Sequence, residues 1–181
     1  MKIAVTGEIR SGKDSVCEYI MRRVPDCEKL YFAEGIEEII RRYFPEAFAH
    51  GKPRKHFQDI GQFMRTIDKD VWVKFTAEKY QLLNSIYSYN FLCTDLRQPN
   101  EYEWLKSEGF TVIKVDADFE LRKERALKAG DVFTEETFNH PVEQSIRSLP
   151  FDYLITNNTT LEDLYKQVDF ILEGELKNGI S

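Results

Sequence analysis

The apolar run MKIAVT leads directly into GEIRSGKD (residues 7–14), and residues with helical spacing, Val16, Tyr19, Ile20 and Arg23 or Val24, follow at once. A strand that breaks at a glycine-rich turn and resumes as a helix is half of a right-handed β-α-β crossover, which commits the chain to a parallel sheet. The spacing Gly-x4-Gly-Lys arises by chance on the order of once in several thousand positions at ordinary glycine usage. Placed between a strand and a helix it reads as a phosphate-binding P-loop, the alternative being a tight surface turn with a solvated lysine. Gly7 and Gly12 let the backbone turn and present N–H groups to phosphate oxygens, and the helix adds its positive end. Lys13 then reaches the β and γ phosphates. Asp14 stands where a serine or threonine is usual. A carboxylate is also a hard oxygen ligand, so Asp14 holds Mg2+ directly or through water, or else Ser15 supplies the hydroxyl. The nucleotide-binding set read from the loop is Gly7, Arg10, Ser11, Gly12, Lys13, Asp14 and Ser15, with nucleotide phosphates and Mg2+ as ligands.

Four further stretches, KLYF, NFLCT, FTVIKVDA and DYLIT, show little polar alternation, as expected of strands buried on both faces. Helical patterns separate them, which predicts an α/β fold with a five-stranded parallel sheet. Residues 34–88 carry only helical patterns, such as Ile36, Ile39, Ile40 and Tyr43, and exceed one crossover, so they read as a helical cap. The polar segment 129–143, with Gly130 and Pro141, reads as a lid loop, and the EGELKNGIS tail as frayed. At 181 residues the chain fits a single domain with a core of its own.

A net charge of about −6, with basic residues spread along the chain, argues against nucleic acid as the main partner. Cys17, Cys27 and Cys93 have neither CxxC spacing nor a nearby histidine pair, and read as reduced thiols of a cytoplasmic protein. No apolar run approaches a membrane span, and the N-terminus opens on a strand pattern rather than a signal-like segment.

Asp95, in FLCTDLRQPNE, stands at the C-terminal end of an apolar strand, where ligands bind in open α/β sheets. A carboxylate there contacts magnesium in P-loop enzymes, or simply caps the next helix. Arg97, two residues on, pairs with Asp95 or points to an acceptor anion.

SGKD, FQDIGQFMRTIDKDVW, TDLRQPNEYEW, and HPVE followed by FDYLITNN occur in that order along nearly the whole chain. Together they resemble the P-loop deoxynucleoside monophosphate kinases of the phage type and their relatives, which include the animal phosphomevalonate kinases. Residues 34–56 match no part of that pattern. The resemblance implies a nucleoside monophosphate kinase-like, three-layer α/β/α fold, with an acceptor-binding region at about 34–88 and a lid at about 118–143. It also implies that Asp14 replaces the usual hydroxyl. Under this reading Lys13 and Asp95 are catalytic, with Asp14, Ser15 and Asp95 organising the metal. Arg65 in the cap clamps the acceptor phosphate, supported by Arg97, and its bland alternative is a surface arginine. Arg122 and Arg125 share a helix face and close over the transferring group from the lid side, or form a solvated face.

Asn157 or Asn158, directly after the fifth strand, meets the adenine edge or makes a turn. Trp72 stacks on a base or fills the core of the cap. His50, His56 and His140 lack metal-ligand spacing, although His140 lies with Glu143 in the lid match, and GKPRKH attracts anions or is a solvated loop. The reaction expected is transfer of the γ-phosphoryl group of ATP to a (deoxy)nucleoside 5'-monophosphate by a monomer or homodimer acting on small molecules. The alternatives are a kinase for another small phosphate, such as phosphomevalonate or a coenzyme precursor, a nucleotide-binding regulator, or a binder without turnover. A regulator predicts an NKxD motif, which the sequence lacks.

Overall fold

The computed structural model describes residues 1–87, 89–130 and 141–178. The strands are β1 (Lys2–Thr6), β2 (Cys27–Leu30), β3 (Asn90–Cys93), β4 (Thr111–Asp116) and β5 (Tyr153–Thr156). The helices are α1 (Lys13–Arg23), α2 (Glu34–Tyr43), α3 (Arg54–Ile67), α4 (Val71–Ile86), α5 (Pro99–Ser107), α6 (Phe119–Lys128), α7 (Pro141–Ser148) and α8 (Leu161–Asn178), with a 3-10 turn at Pro45–His50. The chain divides into two compact units: Met1–Lys29 with Tyr89–Ser181, and Leu30–Ser88.

The first unit is built on a five-stranded parallel sheet in the order β2-β3-β1-β4-β5, the α/β P-loop architecture expected from the sequence. Ile3 of β1 lies opposite Leu92 of β3 on one side and Thr111 of β4 on the other. Alternate residues of these apolar strands serve opposite faces. Ile3, Val5, Leu92, Ile113 and Val115 pack with Val16 and Ile20 of α1 and with Leu164 and Val168 of α8 in one continuous core.

The strand order has a direct consequence for ligand binding. The α1 crossover runs from β1 past β3 to β2, whereas α5 runs from β3 back past β1 to β4. Right-handed crossovers in opposite directions place these helices on opposite faces of the sheet. A crevice therefore opens between the C-terminal ends of β1 and β3, where the strand order reverses. The P-loop and Asp95 leave the sheet from these two strands.

Sequence pattern places the second strand at 29–32, but pairing occurs two residues earlier. Asp26 adopts φ 47° after Pro25, turning the chain, and its carbonyl accepts a hydrogen bond from the Asn90 N–H, so pairing begins there. Phe32 is still buried, but in the turn before α2. Apolar composition marks this segment as interior, while the backbone turn decides where the strand starts.

Helix α5 begins with Pro99 in its first turn, where a missing N–H costs nothing. The buried Glu101 carboxylate accepts from the Arg97 and Gln98 N–H groups at 2.9 and 3.0 Å, and the Gln98 side chain completes the reciprocal capping box. This fixes the loop that carries Asp95 and Arg97. All three cysteines are free thiols. Burial pushes the Cys17 thiol up to about 12 and the Cys27 thiol up to about 11, and raises that of Cys93 well above its ordinary value.

The second unit contains α2, α3 and α4. Two small residues let the helices approach: a Cβ on Gly35 would lie 3.0 Å from the rings of both Trp72 and Phe75, and one on Gly61 would lie 3.0 Å from Ile36 Cδ1. The Trp72 indole N–H donates to the Gly61 carbonyl at 3.2 Å, and Lys79 pairs with Glu34 at 2.6 Å. Among the described residues no helix is long and apolar enough to cross a membrane.

Replacing Glu101 with Ala removes the acceptor for two backbone N–H groups and leaves only the Gln98 half of the α5 capping box. The expected loss is about 2 kcal/mol of unfolding free energy, read as a lower urea midpoint at unchanged slope.

Candidate functional site

The P-loop of the first unit is shaped by close contacts that exclude side chains. A Cβ on Gly7 would lie 2.7 Å from the Val115 carbonyl oxygen, so the loop could not pass over β4 with any larger residue there. Gly12 adopts φ 100° and caps α1 without a side chain to bond the first-turn N–H groups of the helix. Arg10 is also left-handed, at φ 60°. The Ser11 hydroxyl is buried and makes no hydrogen bond among the described residues. A turn of this kind, with open amides and the positive end of an eleven-residue helix, suits an anion.

Lys13 leaves the same turn, and its Nζ donates to the Thr94 carbonyl at 2.7 Å and to Asp14 Oδ1 at 2.6 Å. The lysine thus spans the crevice between the loop after β1 and the loop after β3. Thr6, at the end of β1, ties those loops together again, its hydroxyl donating to the Leu96 carbonyl at 2.8 Å. Partial desolvation acts to raise the Asp14 carboxyl, but the Lys13 ammonium bonded to it, with Arg97 and Lys29 nearby, holds it below the ordinary carboxylate value. Asp95 is half-buried on the loop after β3, close enough that its charge, like that of Asp14, acts to raise the Cys17 thiol. Arg97 is exposed on the loop beyond Asp95, and Ser15 is half-buried in the first turn of α1.

Arg122 and Arg125 lie behind the loop. Arg122, expected over the transferring phosphoryl group, is buried, with Nε donating to the Ala117 carbonyl at 3.1 Å and Nη2 3.3 Å from Glu8. Arg125 donates through Nη2 to the Asn157 carbonyl at 2.8 Å and its side-chain oxygen at 3.3 Å, and through Nη1 to the Arg10 carbonyl at 3.4 Å. The two share a helix face as their spacing predicts, but that face is turned to the loop and not to solvent. The physical reason is Glu8: a carboxylate largely withdrawn from water requires cationic partners, and Arg122 and Arg147 supply them.

The asparagines also have partners other than an adenine edge. Asn157 is buried, and its amide nitrogen donates to the Ser11 carbonyl at 2.8 Å. Asn158 accepts from the Asp118 N–H and donates to the Asp118 carboxylate, tying the segment after β5 to the start of α6. Residues that sequence reasoning did not single out complete the support. Glu8 pairs with Arg147 at 2.7 Å, and Lys114 donates to the Arg147 carbonyl at 2.8 Å. The acidic residue inside the loop is the one sequence signal for this support. Glu143, buried at the start of α7, accepts from the Ile9 N–H at 2.9 Å. His140, its neighbour in the lid match, lies outside the described residues, as does most of the 129–143 segment.

In the second unit Trp72 is buried in the helical interior, and its ring borders a cavity of about 440 Å³ between α2 and α4. Arg65 is half-buried on α3, with Nη1 near Gly61. His50 ends the 3-10 turn, His56 faces the Phe44 ring, and Lys52 lies over the Phe57 ring, so GKPRKH is partly folded into the start of α3. Among the described residues no group of three or more His, Cys, Asp or Glu side chains forms a metal cluster.

Solved structures share this architecture. TT1252 from Thermus thermophilus superposes with a TM-score of 0.60 at 21% identity, covering 96% of this chain and 97% of that one. Shikimate kinase from Aquifex aeolicus vf5 gives 0.56 at 20% identity, covering 97% and 98%. At these identities the likeness is one of fold. The deoxynucleotide monophosphate kinase of Escherichia phage RB69 is 33% identical over 122 residues, 66% of this chain and 44% of that protein. The uncharacterized protein ORF77 of Ictalurid herpesvirus 1 (strain Auburn) is 25% identical over 113 residues, 62% of this chain and 49% of that protein. The chain spans about half the length of these curated relatives. A family model described as deoxynucleotide monophosphate kinase matches residues 52–168, from α3 of the helical unit through β5 into α8. The chain belongs to the deoxynucleotide monophosphate kinase family.

Proposed function

We propose that this protein transfers the γ-phosphoryl group of ATP to a deoxynucleoside 5'-monophosphate, giving ADP and the diphosphate. The observation that carries this reading is Lys13, held between Thr94 and Asp14 at the switch point of a parallel sheet, beside the open amides of the α1 N-terminus. An ammonium beside the N-terminal end of a helix matches the triphosphate end of a nucleotide, and family membership supports the acceptor class.

The acceptor phosphate has a second pKa near 6, so an oxygen that is largely ionised at neutral pH attacks the γ phosphorus while the bond to the β-bridging oxygen breaks. No side chain needs to remove a proton. The work of the chain is to neutralise charge and align the two phosphates. Lys13 would exchange its Thr94 and Asp14 contacts for the β and γ phosphates. Asp14, Ser15 and Asp95 are hard oxygen donors that fit Mg2+, which supplies further neutralisation of the transferring group. Arg65 and Arg97 would meet the acceptor phosphate, and the cavity beside Trp72 offers apolar surface of the kind a base requires. Arg122 and Arg125 would act on the reaction through the P-loop.

An assay of ADP release with ATP and Mg2+ against all ribo- and deoxynucleoside monophosphates tests the proposal. Phosphomevalonate and an acceptor-free control run alongside. Turnover with one or a few deoxynucleotides is expected. Turnover with phosphomevalonate alone, or ADP release independent of any acceptor, would sink the reading. Lys13→Ala should lower kcat/KM by about a thousandfold while leaving the melting temperature within a few degrees. Because Asp14 is held below the ordinary carboxylate value, it stays ionised well below pH 6. The acid limb of kcat/KM for the acceptor should therefore fall as pH drops through about 6, where the acceptor phosphate gains a proton.

A further inference from the structure

We infer that Asn157 is a positioning residue that sets the register of the P-loop from behind, through the Ser11 carbonyl, and that Arg125 locks it in place. This rests on the kinase reading only in requiring that nucleotide phosphates occupy the loop.

Position 12 has no room for a side chain. A Cβ on Gly12 would lie 2.0 Å from Asn157 Nδ2, so the amide nitrogen occupies the space where any other residue would carry its first carbon. Such close approach of a side-chain donor to the loop backbone has a use. With Gly12 at φ 100°, the Ser11 carbonyl turns away from the helix and accepts a hydrogen bond from Asn157 Nδ2 at 2.8 Å. The peptide that follows Ser11 is thereby fixed, and its N–H belongs to Gly12 at the mouth of α1. An amide has one donor end and one acceptor end, and both are used here: Arg125 Nη2 reaches the side-chain oxygen at 3.3 Å and the Asn157 backbone oxygen at 2.8 Å. The same guanidinium touches the Arg10 carbonyl at 3.4 Å, one residue earlier in the loop. Asn157 itself is anchored by its backbone N–H to the Asp116 carbonyl at the end of β4. The orientation of successive peptides in the loop is thus transmitted from β4 and β5 through one amide. The described hydrogen bonds of Asn157 all lead to the P-loop and its supports, so its influence should fall on the nucleotide and not on the monophosphate.

Asn157→Asp separates the two ends of that amide. The carboxylate still accepts from Arg125, but it cannot donate to Ser11 and sets an oxygen against the carbonyl oxygen. The variant and the wild-type chain are compared by calorimetric titration with ATP in the absence of acceptor, by initial rates with each substrate varied, and by thermal unfolding. The expected result is a rise of about tenfold or more in the ATP dissociation constant and in KM for ATP. KM for the acceptor should stay within about twofold and the variant should remain folded. Wild-type ATP affinity in folded Asn157→Asp, or an equal rise in both KM values, overturns the inference. Should Asn157→Asp not fold, Arg125→Lys supplies the same reading: it keeps the cation but loses the fork that spans Asn157 and Arg10, and a rise confined to the ATP terms is expected. Unchanged ATP terms in that variant overturn the inference. A wild-type chain that binds ATP without transferring phosphoryl groups refutes the kinase reading alone, because the titration still reports on the loop, whereas a wild-type chain that binds no ATP refutes both.

Discussion

A P-loop can present its N–H groups to an anion only if the opposite side of the same peptides is satisfied by something else. In this protein that counter-support comes from side chains, Asn157 on the Ser11 carbonyl and Arg125 on the Arg10 carbonyl, while Glu143 takes up the Ile9 N–H. Glu8 adds charge to the arrangement, drawing Arg122 and Arg147 against the loop from α6 and α7. Arg122 and Arg125, the arginines expected over a transferring group, are in this way engaged in holding the loop. Among the described residues, Lys13 and Asp14 stand on the other side of the loop, beside a helix end whose capping residue, Gly12, has no side chain.

The fold is largely legible because its signals are local. Five apolar stretches separated by helical periods suffice for a parallel sheet, and Gly-x4-Gly-Lys suffices for the loop between β1 and α1. Even the Asp95 loop can be placed from the end of an apolar strand. Apolar spacing misplaces the second strand by two residues because pairing there starts from the left-handed Asp26, a backbone event that such spacing does not encode. The roles of Arg122, Arg125 and Asn157 are not legible for a different reason. They depend on distant partners or on the tight approach of a backbone, as when Asn157 meets Ser11 across 146 positions. A sequence states that an arginine is present on a helix face, but not which way the fold turns that face. Trp72 is an intermediate case, since large aromatics favour burial and its indole N–H has found the Gly61 carbonyl.

Two independent stretches of chain carry the functional reading. The phosphate loop, residues 7–15, rests on motif and geometry, and it lies outside the segment matched by the family. The family match covers α3, α4, the Asp95 loop and the strands that follow, which include the supports of the P-loop. The two agree on one chemistry without sharing residues.

The central position of β1 constrains the order in which this protein can be made. The first strand of the chain pairs with β3 and β4, both encoded far downstream, and the loop that follows it is held by residues 125, 143, 147 and 157. Local pairing cannot complete such a structure, since loop closure must precede its reward. A ribosome that has already released the entire P-loop sequence has therefore not yet released the residues that hold it. The contacts that hold the loop are complete only once the turn after β5 has been made, and a chain stalled before residue 157 carries the loop sequence without that part of its support.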